Sequence, residues 1–311
     1  MSGKKQREND KLLSVNIAGI ELRNPTMLAS GFLGISQAIF NRLSEAHVGA
    51  IVSKSISSEP REGYRNPTAV CLERGSYLNA VGIANPGAEA FSREITSNTH
   101  VPLIISLVGS SHHDFPPIIN KFDDLNILGY EINLSCPHVA KMGIEVGDDP
   151  EMVTKIVKTV KSHTLKPVIV KVGIGNVDPL EIARAAKDAD ADAITAINTI
   201  RAMTINIESG IPILSNKIGG VSGKPLRSIA IRCVYEISKN IRIPVIGCGG
   251  IFSWEDAVEF MLAGASAIQL GSVIGHEGVG AFKKINLGLQ HYLERKGLKN
   301  PSELVGLAHK Y

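Results

Sequence analysis

The chain has little cysteine, and none of it is arranged to hold a metal. Its four cysteines, Cys71, Cys136, Cys233 and Cys248, are scattered and form no Cys-x-x-Cys pair. That excludes a zinc or iron–sulfur site built from this chain's thiols and suits free thiols in a reducing cytoplasm. No run of about 18 apolar residues occurs, so no membrane span is expected. A charge excess of one sign is also missing. There are 33 basic and 30 acidic residues, a net charge of +3, too small and too dispersed for a nucleic-acid surface. No stretch reads as a linker. We therefore expect one domain over 1–311, with 1–10 as a flexible, solvated tail. That opening, MSGKKQREND, is charged and lacks a following apolar region, so it is not expected to be a signal peptide.

At 311 residues, 44% hydrophobic and 20% charged, the chain is long enough to bury a large core. Eight short apolar runs recur at 26–29, 50–53, 103–108, 130–134, 167–172, 193–198, 244–248 and 267–271. Most are rich in Val and Ile and apolar on both faces, as in a parallel sheet covered by helices. Amphipathic segments at 150–161, 179–188 and 254–262 lie between them, with Asp149 and Ser253 as N-caps. Eight such units predict a (β/α)8 TIM barrel. A doubly wound sheet is the alternative, since strand order is not written in sequence. Two connections are long, 55–100 after the second strand and 201–223 after the sixth. The second contains an alternating stretch suited to a small hairpin, and long loops in compact domains tend to be functional. Residues 12–22 read as an N-terminal hairpin, turning at Ala18-Gly19 and plugging the barrel bottom.

Polar residues and glycines gather where the apolar runs stop. Ser30, Lys54, Ser55, Asn133, Ser135, Cys136, Lys171, Asn198, Thr199, Gly249, Gly250, Gly271 and Ser272 all stand at or just past a predicted strand. This is the end at which barrel enzymes carry their chemistry. The glycines after strands seven and eight fit a phosphate held by backbone N–H groups, with Gly219–Gly223 as a third wall; their other reading is simple chain turns. Lys54 and Lys171 at apolar strand ends either snorkel to solvent or face a phosphate-bearing cofactor such as a flavin. Asn79, Asn85, Asn133 and Asn198 suit a planar ligand with imide groups, though Asn85 before Pro86 reads first as a turn residue. Cys136, in a loop beside Pro137 and polar neighbours, is poorly placed for burial. The other three cysteines read as structural.

These segments resemble the class 1 dihydroorotate dehydrogenases. The matching motifs are Asn133-Leu134-Ser135-Cys136-Pro137, Leu78-Asn79-Ala80-Val81-Gly82-Ile83-Ala84-Asn85-Pro86-Gly87, Ile197-Asn198-Thr199, Gly219-Gly220-Val221-Ser222-Gly223 and Ile246-Gly247-Cys248-Gly249-Gly250-Ile251. They run in the family's order from about Leu12 to the last helix. The resemblance implies an FMN-containing barrel that oxidises dihydroorotate to orotate in pyrimidine synthesis. It implies Cys136 as the base for the C5 proton and Lys171 at the flavin N1/O2 edge. Lys54, Asn79, Asn133, Asn198 and Thr199 would contact substrate, flavin or both. His138 would face substrate. The N–H groups of Val81, Gly82 and Ile83 would hold the substrate carboxylate. Ser30 and Ser55 would border the flavin, and Gly223, Gly249, Gly250, Gly271 and Ser272 its phosphate.

Two departures stand out. The family commonly carries Asn where this chain has His138, and Cys-Pro-His is familiar from dihydropyrimidine dehydrogenases, which reduce uracil and thymine. That is the alternative activity, and the 78–87 loop opposes it. The second departure is Lys171-Val-Gly-Ile-Gly-Asn176, where the family often has Ser-Pro-Asn after the lysine segment. The absence of an N-terminal apolar helix, and Cys136 where the membrane-bound quinone-using class has serine, point to the heteromeric NAD-linked subclass. So do the stretches 146–150 and 197–223. That resemblance implies a homodimeric core and a separate subunit carrying FAD and an iron–sulfur centre.

Overall fold

The computed structural model describes residues 12–95, 102–134 and 146–311. The predicted N-terminal tail, Ser135, Cys136 and His138 lie outside the described residues.

The described chain begins with a hairpin of β1 (Val15–Ile17) and β2 (Ile20–Leu22). Its turn residues Ala18 and Gly19 have φ of 53° and 85°, both in the left-handed region that short hairpin turns require. The barrel strands follow as β3 (Thr26–Leu28) and β4 (Ala50–Val52). The first long connection then forms β5 (Ala69–Glu73) and β6 (Ser76–Asn79). The barrel resumes with β7 (Leu103–Leu107), β8 (Gly129–Asn133), β9 (Val168–Val172) and β10 (Ala193–Ala196). The second long connection holds β11 (Ile200–Ala202), β12 (Ile205–Asn206), β13 (Ile211–Pro212) and β14 (Gly219–Gly223). The last two barrel strands are β15 (Val245–Cys248) and β16 (Ala265–Leu270).

Strands β3, β4, β7, β8, β9, β10, β15 and β16 close into one parallel barrel, with β16 pairing back onto β3. All eight strands coincide with the predicted runs to within a few residues, and the doubly wound alternative falls away. Helices α1 (Gln37–Glu45), α2 (Ala88–Glu94), α3 (Phe115–Phe122), α4 (Pro150–Lys161) and α5 (Pro179–Asp188) occupy the first connections. Helices α6 (Arg227–Asn240), α7 (Trp254–Ala263), α8 (Ser272–Glu277) and α9 (Gly280–Lys296) complete the outer layer. The capping expectations hold. Asp149 accepts from the Met152 N–H, and Ser253 and Asp256 form a reciprocal capping box, which satisfies first-turn donors that would otherwise lack partners.

Two layers fill the lower barrel. Met27, Ala50, Val52, Ile104, Ile169, Ala193, Ile246 and Ala267 point inward, and the hairpin's Val15, Ile17, Ile20 and Leu22 pack against them from below. The plug anticipated from the sequence is therefore in place. At the other end, β11, β14, β6 and β5 form a single antiparallel sheet. The two long connections thus meet: Asn79 of β6 sits opposite Gly220 of β14, which pairs with Arg201 of β11. Among the described residues, no helix is long and apolar enough to cross a membrane.

Candidate active site

Strand geometry positions the site. Successive side chains alternate faces, so each inward residue of the apolar layer is followed two positions later by another inward residue nearer the mouth. Ile104 leads to Ser106, Ile169 to Lys171, Ala193 to Thr195, Ile246 to Cys248 and Ala267 to Gln269. Above this polar layer lies a cavity of about 400 Å³, a size typical of small-molecule sites. Of the candidate site residues and cysteines that the sequence singled out, all the described ones except Asn85 and the cysteines Cys71 and Cys233 contribute to its walls or to the Gly219–Gly223 strand beside it. From the barrel come Ser30, Lys54, Ser55, Asn133, Lys171, Asn198 and Thr199. The β6 loop supplies Asn79, Val81, Gly82 and Ile83, and the glycine loops supply Gly223, Gly249, Gly250, Gly271 and Ser272.

A chain of neutral hydrogen bonds crosses one wall. The Ser55 hydroxyl is 2.9 Å from that of Ser106 and 3.2 Å from that of Ser30. Asn133 donates to the Ser55 hydroxyl at 3.0 Å, and Asn198 donates to the Asn133 side-chain oxygen Oδ1 at 3.1 Å. Asn79 donates to the Gly220 carbonyl at 3.2 Å, tying the antiparallel sheet to the cavity rim. Asn85 is different. It is buried, and its amide is consumed by Ser57, Ile83 and Gly87, so it is a turn residue and not part of the lining. Gly82 and Ile83 both adopt positive φ, 72° and 57°, which is uncommon for a β-branched side chain and typical of functional loops.

The two lysines differ. Lys54 is half-buried, and desolvation lowers its pKa below the usual lysine range. Lys171 is 4% exposed. Burial alone would depress its ammonium, but the facing Cys248 sulfur and Glu131 carboxylate outweigh it and raise the pKa. The Cys248 thiol is itself pushed up, chiefly by burial.

Three residues here escaped the sequence reading. Glu131, fully buried, accepts from Thr195 at 2.8 Å and from the Gln269 amide at 2.5 Å. Gln269 in turn accepts from Lys171 at 2.9 Å. The available signal was a polar residue at an inward position of an otherwise apolar strand, Gly129-Tyr130-Glu131-Ile132-Asn133 being one case. Of the remaining cysteines, all read as structural, Cys233 agrees with that reading and the other two correct it. Cys233 is a buried helix residue with its pKa pushed up to about 11, mainly by desolvation. Cys71 instead stands exposed on β5, and Cys248 lines the cavity beside Lys171.

The sequence profile described as dihydroorotate dehydrogenase matches residues 12–293. The catalytic subunit of dihydroorotate dehydrogenase B (NAD(+)) from Methanocella arvoryzae is 42% identical over 300 residues, covering 96% of this chain and 98% of that one. Its counterpart from Pyrococcus abyssi is 43% identical over 300 residues, covering 96% of this chain and all of its own length (100%). The crystal structure of DHODH in complex with ferulenol from Eimeria tenella matches with a TM-score of 0.80 at 21% identity, covering 97% of this chain and 90% of that one; this last is a likeness of fold. The uracil and thymine reductase reading is not favoured by these relatives. A (β/α)8 barrel with this cavity and these near full-length relatives belongs to the dihydroorotate dehydrogenase family.

Proposed function

We propose that the barrel mouth binds flavin mononucleotide and that Cys136 removes the C5 proton of dihydroorotate there. Oxidation of dihydroorotate to orotate, a step of pyrimidine synthesis, is the reaction of the family and of this chain. The observation that carries the cofactor reading is the convergence of Lys171, Lys54, three amides and three glycine loops on one cavity.

The residues present fit a flavin. Gly250 lines the cavity with φ of +76°, and a Cβ there would lie 2.8 Å from the Arg227 nitrogen, so glycine is required by the turn and by its packing on the start of α6. Gly271 has an ordinary φ of −122°. A Cβ on it would meet nothing nearer than 3.5 Å, so the surrounding protein leaves space at this position, where a bound phosphate would come close to the backbone. Gly223, Gly249, Gly250, Gly271 and Ser272 would hold the phosphate through N–H groups. Ser30, Ser55 and Asn133 would border the ring system, and Lys171 would stand at its N1/O2 edge.

Bound flavin would accept the C6 hydride at N5. The chain's own residues do the rest. The N–H groups of Val81, Gly82 and Ile83 would hold the carboxylate, with Lys54 adding positive charge. Asn79, Asn133, Asn198 and Thr199 would bind the planar ring edges, and His138 would stand near them. Cys136 must lose its proton before it can take one, because a thiol of reference pKa about 8.5 is mostly protonated at neutrality.

The relatives' designation as NAD(+)-linked catalytic subunits supports a separate electron-transfer subunit, which would carry FAD and an iron–sulfur centre. A homodimeric core, a single domain and a cytoplasmic setting complete the proposal. The test is anaerobic mixing of purified protein with dihydroorotate while following flavin absorbance. Wild type should bleach, and Cys136→Ala should retain FMN but reduce it about 10²–10⁴-fold more slowly. Near wild-type reduction in that variant removes Cys136 as the base, and purified wild type without recoverable flavin removes the cofactor.

A further inference from the structure

Four inward side chains from four strands form one buried relay below the cavity. Lys171 on β9 donates to the Gln269 carbonyl on β16 at 2.9 Å, and the Gln269 amide donates to Glu131 Oε2 on β8 at 2.5 Å. Thr195 on β10 donates to the same oxygen at 2.8 Å. Oε2 thus accepts twice, as an ionised carboxylate does. Glu131 Oε1 accepts no hydrogen bond; Lys171 Nζ lies 3.9 Å away. The Gln269 amide can face only one way between these two. Reversed, it would set its NH₂ against the ammonium and its oxygen against the carboxylate. Placing a carboxylate in a barrel core is costly even when it is paired, and an apolar residue would fill the space without that cost. The layer directly below is built of such residues.

We propose that Glu131 is a positioning residue: through Gln269 and by direct attraction it fixes the Lys171 ammonium under the flavin and keeps it charged. The other titratable groups facing the relay are Cys248 on β15 and Lys54 at the exit of β4, both lining the same cavity. Burial pushes the Cys248 thiol up, whereas Glu131 already accepts two hydrogen bonds at one oxygen and sets the other 3.9 Å from Lys171, so Glu131 is the carboxylate that the geometry places beside Lys171. Removing that anion would leave Lys171 as a lone buried cation, which sheds its proton far more readily.

This inference rests on the flavin reading and is tested through the charge felt by the bound cofactor. Sulfite adds to flavin N5 and leaves negative charge at N1, so its affinity reports a cation at that edge. The measurement is the ratio of sulfite affinities, Glu131→Gln over wild type, at matched pH, which cancels the ionisation of sulfite itself. With Lys171 still protonated at about pH 6, the variant binds sulfite more tightly than wild type. With Lys171 neutral at about pH 9, it binds more weakly. The ratio should fall by at least about tenfold across that range, the equivalent of one pKa unit of differential interaction. In a Lys171→Met background, Glu131→Gln should leave the ratio flat, since the coupling then has no second partner. A flat ratio in FMN-loaded Glu131→Gln with Lys171 present overturns the proposal. Should that variant fail to fold, Gln269→Met cuts the relay and must show the same fall at smaller amplitude, or the proposal fails. Wild type that carries no FMN would instead remove the flavin reading, so the two failures are distinguishable.

Discussion

The two halves of the barrel interior are built by the same strands and obey opposite rules. The lower half is packed with apolar side chains and closed from beneath by a hairpin. Two residues further along, the upper half carries a buried acid, a buried lysine, a threonine, a glutamine and a cysteine. The first arrangement stabilises the protein by removing apolar area from water. The second spends part of that stability to hold charge in fixed places, which a reaction that develops charge requires. The boundary falls within single strands: on β9, Ile169 and Lys171 point the same way, one pleat apart.

Exchanging those rules on one strand should have the largest effect. Ile104→Lys places an ammonium in the plugged layer between Val52 and Gly129, its partners on the flanking strands. An uncompensated buried charge of this kind costs about 3–5 kcal/mol, readable as a drop in the denaturant midpoint at constant slope. Unchanged stability would mean that the lower half tolerates charge and that the contrast is accidental.

A second, intermediate effect sharpens the contrast at the mouth. Because desolvation lowers the Lys54 pKa in the free protein, orotate affinity should begin to weaken at a pH below the usual lysine value of about 10.4. The sign follows from linkage. The ligand needs the ammonium, so affinity is full below the free-protein pKa and falls by about tenfold per pH unit above it. Lys54→Met should bind weakly at every pH and lose this slope. A titration that stays flat in wild type up to the usual lysine range would show that Lys54 does not face the ligand.

The smallest expected effect lies at the base. Ala18 holds φ of 53° in the hairpin turn before Gly19, a conformation that asparagine adopts more readily than alanine. Ala18→Asn should therefore stabilise by about 0.5–1 kcal/mol and leave flavin binding untouched. Any change at the mouth would show that the plug and the site are coupled.

The sequence by itself determined the repeating architecture. Strands apolar on both faces pack only between covering layers, so eight such runs alternating with helices specify a parallel α/β fold, and Asp149 and Ser253 mark helix starts by local capping chemistry; closure into a barrel and not a doubly wound sheet was decided by β16 pairing back onto β3. Strand-end residues such as Lys171, Asn133 and Asn198 were legible because a polar side chain at the end of a buried strand has few alternatives. Tertiary structure alone decided what those residues meet. The pairing of β6 with β14 joins segments about 140 residues apart and brings Asn79 and Thr199 to one rim. The relay joins Glu131 to Gln269 across 138 positions. No local pattern encodes either contact, because barrel closure fixes which inward side chains face one another. The same closure separates Asn85, spent in its turn, from the asparagines that face the cavity.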